Sequence, residues 1–127
     1  MNFASDNVSA AAPEILEAVM RENAGPAMPY GADDATARLK RRVSEIFERE
    51  ASVHLVATGT AANALALACL CPPWATVYAH EQAHVEMDEC GAPEFFAGGA
   101  KLTLLPGADG RIDPAAFEAR MTVPVRG

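Results

Sequence analysis

Apolar residues recur at helical spacing in the first third of the chain. Ile15, Leu16, Val19 and Met20 fall on one side of a helix predicted over Pro13 to Asn23, with Pro13 in the first turn, where its missing N–H costs nothing. Gly25, Pro26, Pro29 and Gly31 break the pattern as a loop. It resumes after Asp33 or Asp34, natural N-caps, in a second helix through about Arg49. Leu39, Val43, Ile46 and Phe47 form the apolar stripe of that helix, and the basic run from Arg38 to Arg42 its wet face.

From Val53 the rhythm changes. Val53 to Ala57 reads as a short buried strand, followed by the turn Thr58-Gly59-Thr60 and an alanine- and leucine-rich helix from about Ala61 to Leu70, stopped by Pro72 and Pro73. Thr76 to Ala79 gives a second strand. A short helix over about Gln82 to Glu89 ends at Gly91, Leu102 to Leu105 gives a third strand, and Pro106 to Gly110 turns the chain into a last helix from Asp113-Pro114 to about Met121. Strands alternating with helices predict an α/β fold in which the three strands share one mainly parallel sheet, with Gly59 at the carboxyl end of its strand. Three strands make a narrow sheet, and an alanine-rich, aromatic-poor composition suits helices packed closely in something larger. The tail from Thr122 to Gly127 continues no periodicity, so residues 1–127 are expected to be an incomplete domain.

Charge narrows the range of partners. The chain has 127 residues with 10 Lys+Arg against 17 Asp+Glu, a net charge of -7, so it offers no electrostatic footprint for nucleic acid or an anionic membrane. No run of 18 apolar residues and no secretory signal pattern is present, which makes the cytoplasm the expected location. Cys69, Cys71 and Cys90 are odd in number and sit in apolar or mixed surroundings, the pattern of reduced, buried thiols rather than of a disulfide framework.

Two constellations can carry chemistry. Thr58-Gly59-Thr60-Ala61-Ala62-Asn63 is expected where a strand meets a helix, so the free N–H groups of the first helical turn and two hydroxyls can face one anion as a phosphate cradle, or serve simply as a capped glycine turn. The motif has neither the lysine of a P-loop nor the three spaced glycines of a dinucleotide fingerprint. His80-Glu81-Gln82-Ala83-His84 matches H-E-x-x-H, in which two histidines on one helix hold zinc and the glutamate acts as general base, with Glu86 or Glu94 as a third ligand. Against a shared metal, His80 directly follows a predicted strand, so a strand-to-helix break separates it from His84. Ser5-Asp6-Asn7, Tyr30-Gly31-Ala-Asp33-Asp34 and the acidic Glu86, Asp88 and Glu89 are, taken alone, capping residues, turns and a solvated face.

Taken in order, Phe3-Ala-Ser5-Asp6-Asn7-Val8, Tyr30-Gly31-x-Asp33-Asp34, Thr58-Gly59-Thr60-Ala-Ala-Asn63-Ala-Leu65-Ala-Leu67 and Gln82-Ala83-His84 through Asp88-Glu89-Cys90-Gly91 resemble the N-terminal third of low-specificity L-threonine aldolases, over essentially residues 2 to 121. These belong to the aromatic amino acid β-eliminating lyase/threonine aldolase family. The resemblance implies the N-terminal part of the large domain of a fold-type I, aspartate-aminotransferase-like enzyme, a three-layer α/β/α structure that uses pyridoxal 5'-phosphate. It implies cleavage of L-threonine or L-allo-threonine to glycine and acetaldehyde in amino-acid metabolism, by a homodimer or homotetramer. It also implies site roles. Thr58, Gly59 and Thr60 match the cofactor-phosphate positions, His84 the histidine that stacks on the pyridine ring and takes part in proton transfer, Ser5 a substrate-carboxylate contact, and Glu89 an acid that orients the histidine. The family's Schiff-base lysine and substrate-binding arginine have no match, because the only lysines are Lys40 and Lys101. A truncated, inactive member is therefore expected, with an H-E-x-x-H zinc hydrolase or a non-catalytic interaction module as alternatives.

Overall fold

A computed structural model of the protein describes residues 8–122, in two units that divide between His54 and Leu55. The first holds helices α1 (Pro13–Glu22) and α2 (Asp34–Ile46). Pro13 opens α1 and Asn23 closes it, as the spacing predicts. Asp33 caps α2 with both carboxylate oxygens: Oδ1 accepts the Thr36 backbone N–H at 2.7 Å and Oδ2 the Thr36 hydroxyl at 2.8 Å. α2 stops at Ile46, short of Arg49, because Glu48 turns into the left-handed region at φ 51° and the Arg49 N–H bonds back to the Ser44 carbonyl at 3.1 Å. An ion pair between Arg38 and Glu22 joins the two helices. No described residue up to His54 is buried, and the run Arg38 to Arg42 is solvent-facing.

The second unit carries the core. Its elements are α3 (Gly59–Leu70), β1 (Thr76–His80), α4 (His84–Met87), α5 (Ala92–Phe96), β2 (Lys101–Leu105), a 3-10 turn over Ala108–Gly110, and α6 (Pro114–Thr122). β1 and β2 pair in parallel, in register from Thr76 opposite Lys101 to His80 opposite Leu105, and α4 and α5 form the crossover between them. α3 packs on α5, and the buried residues are mostly small: Ala64 and Ala79 with Pro93, Ala97, Ala100 and Leu105. Tyr78 meets Phe117 edge to face at a centroid distance of 5.3 Å, which fixes α6 on the strand pair. Among the described residues no helix is long and apolar enough to cross a membrane.

Three expectations need correction. Val53 to Ala57 is not a strand: none of these residues joins a backbone hydrogen bond among the described residues, and the parallel sheet has two strands. An apolar run becomes a strand only where a neighbouring edge accepts its ladder, and among the described residues none does. Gly59 therefore follows an unpaired segment, and α3 starts at Gly59 rather than Ala61 because Thr58, not Thr60, is the cap. The helix expected over Gln82 to Glu89 shrinks to α4 and is followed by α5, which the pattern does not predict although Pro93 sits in its first turn. Finally, the three cysteines are free, as expected of reduced thiols, yet Cys69 and Cys90 are exposed rather than buried. Cys69 lies on the outer side of α3, a helix apolar all round with only Ala64 buried, and Cys90 sits at a left-handed turn.

Candidate active site

The start of α3 is built from Thr58 inward. Its side-chain oxygen accepts the Ala61 N–H at 3.1 Å, and its carbonyl accepts the Ala62 N–H at 3.1 Å. Two of the helix's first amides are thereby satisfied. The N–H groups of Gly59 and Thr60 have no acceptor among the described residues, and neither has the Thr60 hydroxyl. They lie at the positive end of a helix of 12 residues. Gly59 has no left-handed backbone, and a Cβ placed on it meets no atom within 4 Å. Among the described residues nothing crowds the Cβ side of Gly59. Two amides and a hydroxyl at a helix N-terminus are a donor set for a phosphate-like anion.

The second cluster forms where α4 turns into α5. His84 opens α4, and its Nδ1 lies 2.8 Å from Glu89 Oε1, while the Asn63 side-chain amide donates to the same oxygen at 2.6 Å. Glu89 is 2% exposed, and the His84 side chain is 64% exposed. The carboxylate is thus a fixed internal post and the imidazole an outward-facing blade. An ionised carboxylate only accepts, so Nδ1 carries a proton and Nε2 is the nitrogen offered outward. Behind Glu89 the chain reverses through two successive left-handed residues, Cys90 at φ 52° and Gly91 at φ 73°, with the Ala92 N–H bonded to the Glu89 carbonyl at 2.9 Å. That turn holds Glu89 inward. Its second oxygen, Oε2, is buried without a hydrogen-bond partner among the described residues.

His80 and His84 have different environments. His80, the last residue of β1, is 5% exposed and has both ring nitrogens engaged: Nε2 with the Gly107 carbonyl and Nδ1 with the Gln82 N–H, each at 3.0 Å. A carbonyl cannot donate and an amide N–H cannot accept, so the ring is fixed as the Nε2–H tautomer with no lone pair left for a metal. The strand-to-helix break expected between the histidines is present, with β1 ending at His80 and α4 starting at His84. Glu81 is exposed, and no group of three or more His, Cys, Asp or Glu among the described residues is placed to hold a metal. The zinc reading therefore has no ligand set.

Ser5 lies outside the described residues. Of the remaining sites singled out in the sequence, Thr58, Gly59 and Thr60 form one cluster and His84 and Glu89 another, both within the second unit. Asn63 is the member that sequence reasoning missed. It belongs to the cradle motif by sequence and to the histidine cluster by contact, across 26 residues. The one available signal was a polar residue in an otherwise apolar helix.

Known proteins give the arrangement a context. The family model described as Beta-eliminating lyase matches residues 2–126. Low specificity L-threonine aldolases from Pseudomonas aeruginosa and from a Pseudomonas species are 46% and 45% identical over 115 residues, 91% of this chain. The chain spans 33% of the length of each. A solved structure of Leishmania major threonine aldolase superposes with a TM-score of 0.78 at 31% identity, covering 88% of this chain and 32% of that one.

Proposed function

The chain belongs to the β-eliminating lyase family, and from that premise we propose that it forms the phosphate-holding and ring-stacking part of the large domain of a threonine-aldolase-like lyase. The reaction is the cleavage of L-threonine or L-allo-threonine to glycine and acetaldehyde with pyridoxal 5'-phosphate, in amino-acid metabolism, and the working enzyme is a homo-oligomer in the cytoplasm. The observation that carries this reading is that one unit holds both an amide cradle at Gly59 and Thr60 with no acceptor among the described residues and an outward-facing His84 seated on buried Glu89.

The residues present fit the cofactor's phosphate and its ring. Gly59 and Thr60 would bind the phosphate through two backbone N–H groups and the Thr60 hydroxyl, reinforced by the α3 dipole, while Thr58 keeps the helix end capped. His84 would lay its exposed imidazole on the flat heterocycle. With Nδ1–H held by Glu89, its Nε2 would exchange a proton with the substrate hydroxyl. Ser5 is assigned to the substrate carboxylate. Pyridoxal phosphate, when bound, supplies the electron sink that makes cleavage at Cα possible. Neither Lys40 nor Lys101 corresponds to the Schiff-base lysine, which we assign, with the substrate arginine and the small domain, to protein other than this segment.

Titration of the labelled chain with inorganic phosphate and with pyridoxal phosphate tests the reading. The amide resonances of Gly59 and Thr60 should move with both ligands, and the His84 ring resonances should move with pyridoxal phosphate alone. Amides from Gly59 to Asn63 that stay still at millimolar concentrations of both would refute it.

A further inference from the structure

Asn63 is the single polar side chain between Thr60 and Cys69 in α3. Asparagine is a poor choice for a helix interior, where its amide competes with the backbone for hydrogen bonds, and every neighbour here is alanine or leucine. The residue is half-buried, and its amide bonds to Glu89 Oε1 at 2.6 Å, the oxygen that also takes His84 Nδ1. We propose that Asn63 is a positioning residue for His84, acting through Glu89. The proposal rests on the assignment of His84 as the proton-handling, ring-stacking histidine.

The geometry gives Asn63 a task that Glu89 cannot do alone. A glutamate carboxylate turns freely about its last torsion, so either oxygen, in or out of the imidazole plane, can be offered to a histidine. Glu89 has one oxygen doubly engaged and the other without a partner among the described residues, so only the Asn63 amide decides which oxygen faces the ring. Asn63 also lies one helical turn beyond Gly59 on the same α3 segment. A rigid helix therefore sets the anion cradle and the histidine's support in one frame. Removal of the Asn63 donor leaves Glu89 buried with a single tether and lets the imidazole sample its other tautomer.

Nitrogen-15 correlation spectra of the imidazoles in the full chain provide the test, since they report which ring nitrogen is protonated with no cofactor present. His80, held as the Nε2–H tautomer, is the internal reference, and a His84→Gln variant assigns the signals. The wild-type His84 should be the Nδ1–H tautomer. In Asn63→Leu the ratio of Nδ1–H to Nε2–H at His84 should fall about tenfold, the loss expected when one charge-assisted hydrogen bond is removed from a buried carboxylate. Asn63→Gln, which keeps an amide donor on α3, should hold the ratio nearer to wild type than Asn63→Leu does. A ratio within about twofold of wild type in Asn63→Leu, alongside a clear shift in Glu89→Leu, would overturn the role of Asn63 and leave that of Glu89 standing. No shift in Glu89→Leu would instead remove Glu89 as the orienter of the ring, and the assignment of His84 with it. If Asn63→Leu does not fold by circular dichroism, Asn63→Ala, which removes the donor without adding bulk to the helix, decides: a ratio within about twofold of wild type there would overturn the proposal.

Discussion

His80 Nε2 donates to the carbonyl of Gly107 at 3.0 Å, which ties the carboxyl end of β1 to the turn that leaves β2. Only glycine fits at this turn, because a Cβ on residue 107 would lie 1.6 Å from the Arg111 carbonyl oxygen. The turn is closed again by the Asp113 N–H, bonded to the Pro106 carbonyl at 2.9 Å. The histidine and the glycine thus hold one corner of the second unit, at the same end of the strands as His84.

Loss of that corner should be visible in stability. His80→Phe keeps the bulk but leaves the Gly107 carbonyl and Gln82 N–H without partners, at a cost of about 2 kcal/mol. Gly107→Ala should cost about 3 kcal/mol or more, since the obstructing atoms are backbone and cannot turn aside. Urea unfolding followed by the fluorescence of Trp74, the one tryptophan, measures both. An unchanged midpoint in His80→Phe would mean that the tie contributes nothing.

The helix cap at Thr58 and the anion donors at Gly59 and Thr60 are separable. Thr58→Ala should destabilise α3 by about 1 kcal/mol, and Thr58→Ser should recover most of it, because only the oxygen that accepts the Ala61 N–H matters. Thr60→Val should leave stability nearly unchanged and weaken phosphate binding several-fold. Thermal unfolding and a phosphate titration of the Gly59 amide distinguish the two. Equal phosphate affinity in Thr60→Val and wild type would exclude the hydroxyl from the cradle.

These sites differ in how far the sequence reveals them. Pro13, Asp33, Pro72-Pro73 and Pro114 mark helix boundaries by local rules, and the structure follows them closely. The cradle is legible for the same reason, since a cap and its helix are neighbours in the chain. Val53 to Ala57 fails because strand formation is decided by a partner edge, and hydrophobicity does not reveal whether that edge exists. Asn63 on Glu89 fails because their bond spans 26 residues and no periodicity encodes it. His80 is legible as a histidine that follows a predicted strand, but its tie to Gly107 spans 27 residues and is not.

Asp33 gives α2 a pH dependence of defined sign. Its carboxyl titrates below the ordinary value of 3.8, first because the Thr36 backbone N–H bonds to it and next because the Thr36 hydroxyl does. A folded-state value below the unfolded one contributes stability that is fully present above the unfolded value and is lost as pH falls through the folded one. Amide exchange in the first turn of α2 should therefore be insensitive to this group from neutrality down to about pH 5 and should quicken below about pH 4. Asp33→Asn, which keeps an acceptor but not the charge, should remove that acid-specific step. An equal step in both proteins would assign it to other carboxylates.

The last prediction concerns Lys101. It opens β2 opposite Thr76, at the amino end of a parallel pair whose carboxyl end is His80 opposite Leu105. Four residue steps along a parallel strand cover about 13 Å, so Lys101 sits about that far along the strands from the end that leads into α4 and His84. Ligands of open α/β sheets gather at the carboxyl ends, where helix N-termini converge, and a lysine at the amino end is badly placed to reach them. Lys101 is exposed, as expected of an ordinary solvated amine, and Lys40 is an exposed residue of the basic face of α2. The chain by itself should accordingly release no acetaldehyde from L-threonine at any concentration of pyridoxal phosphate, while still showing phosphate-dependent shifts at Gly59 and Thr60. An aldehyde-release assay on the purified chain, freed of intact aldolase, reads this directly. Catalytic release that disappears in Lys101→Ala would mean that β2 presents its lysine to the cofactor and that these 127 residues form a working site.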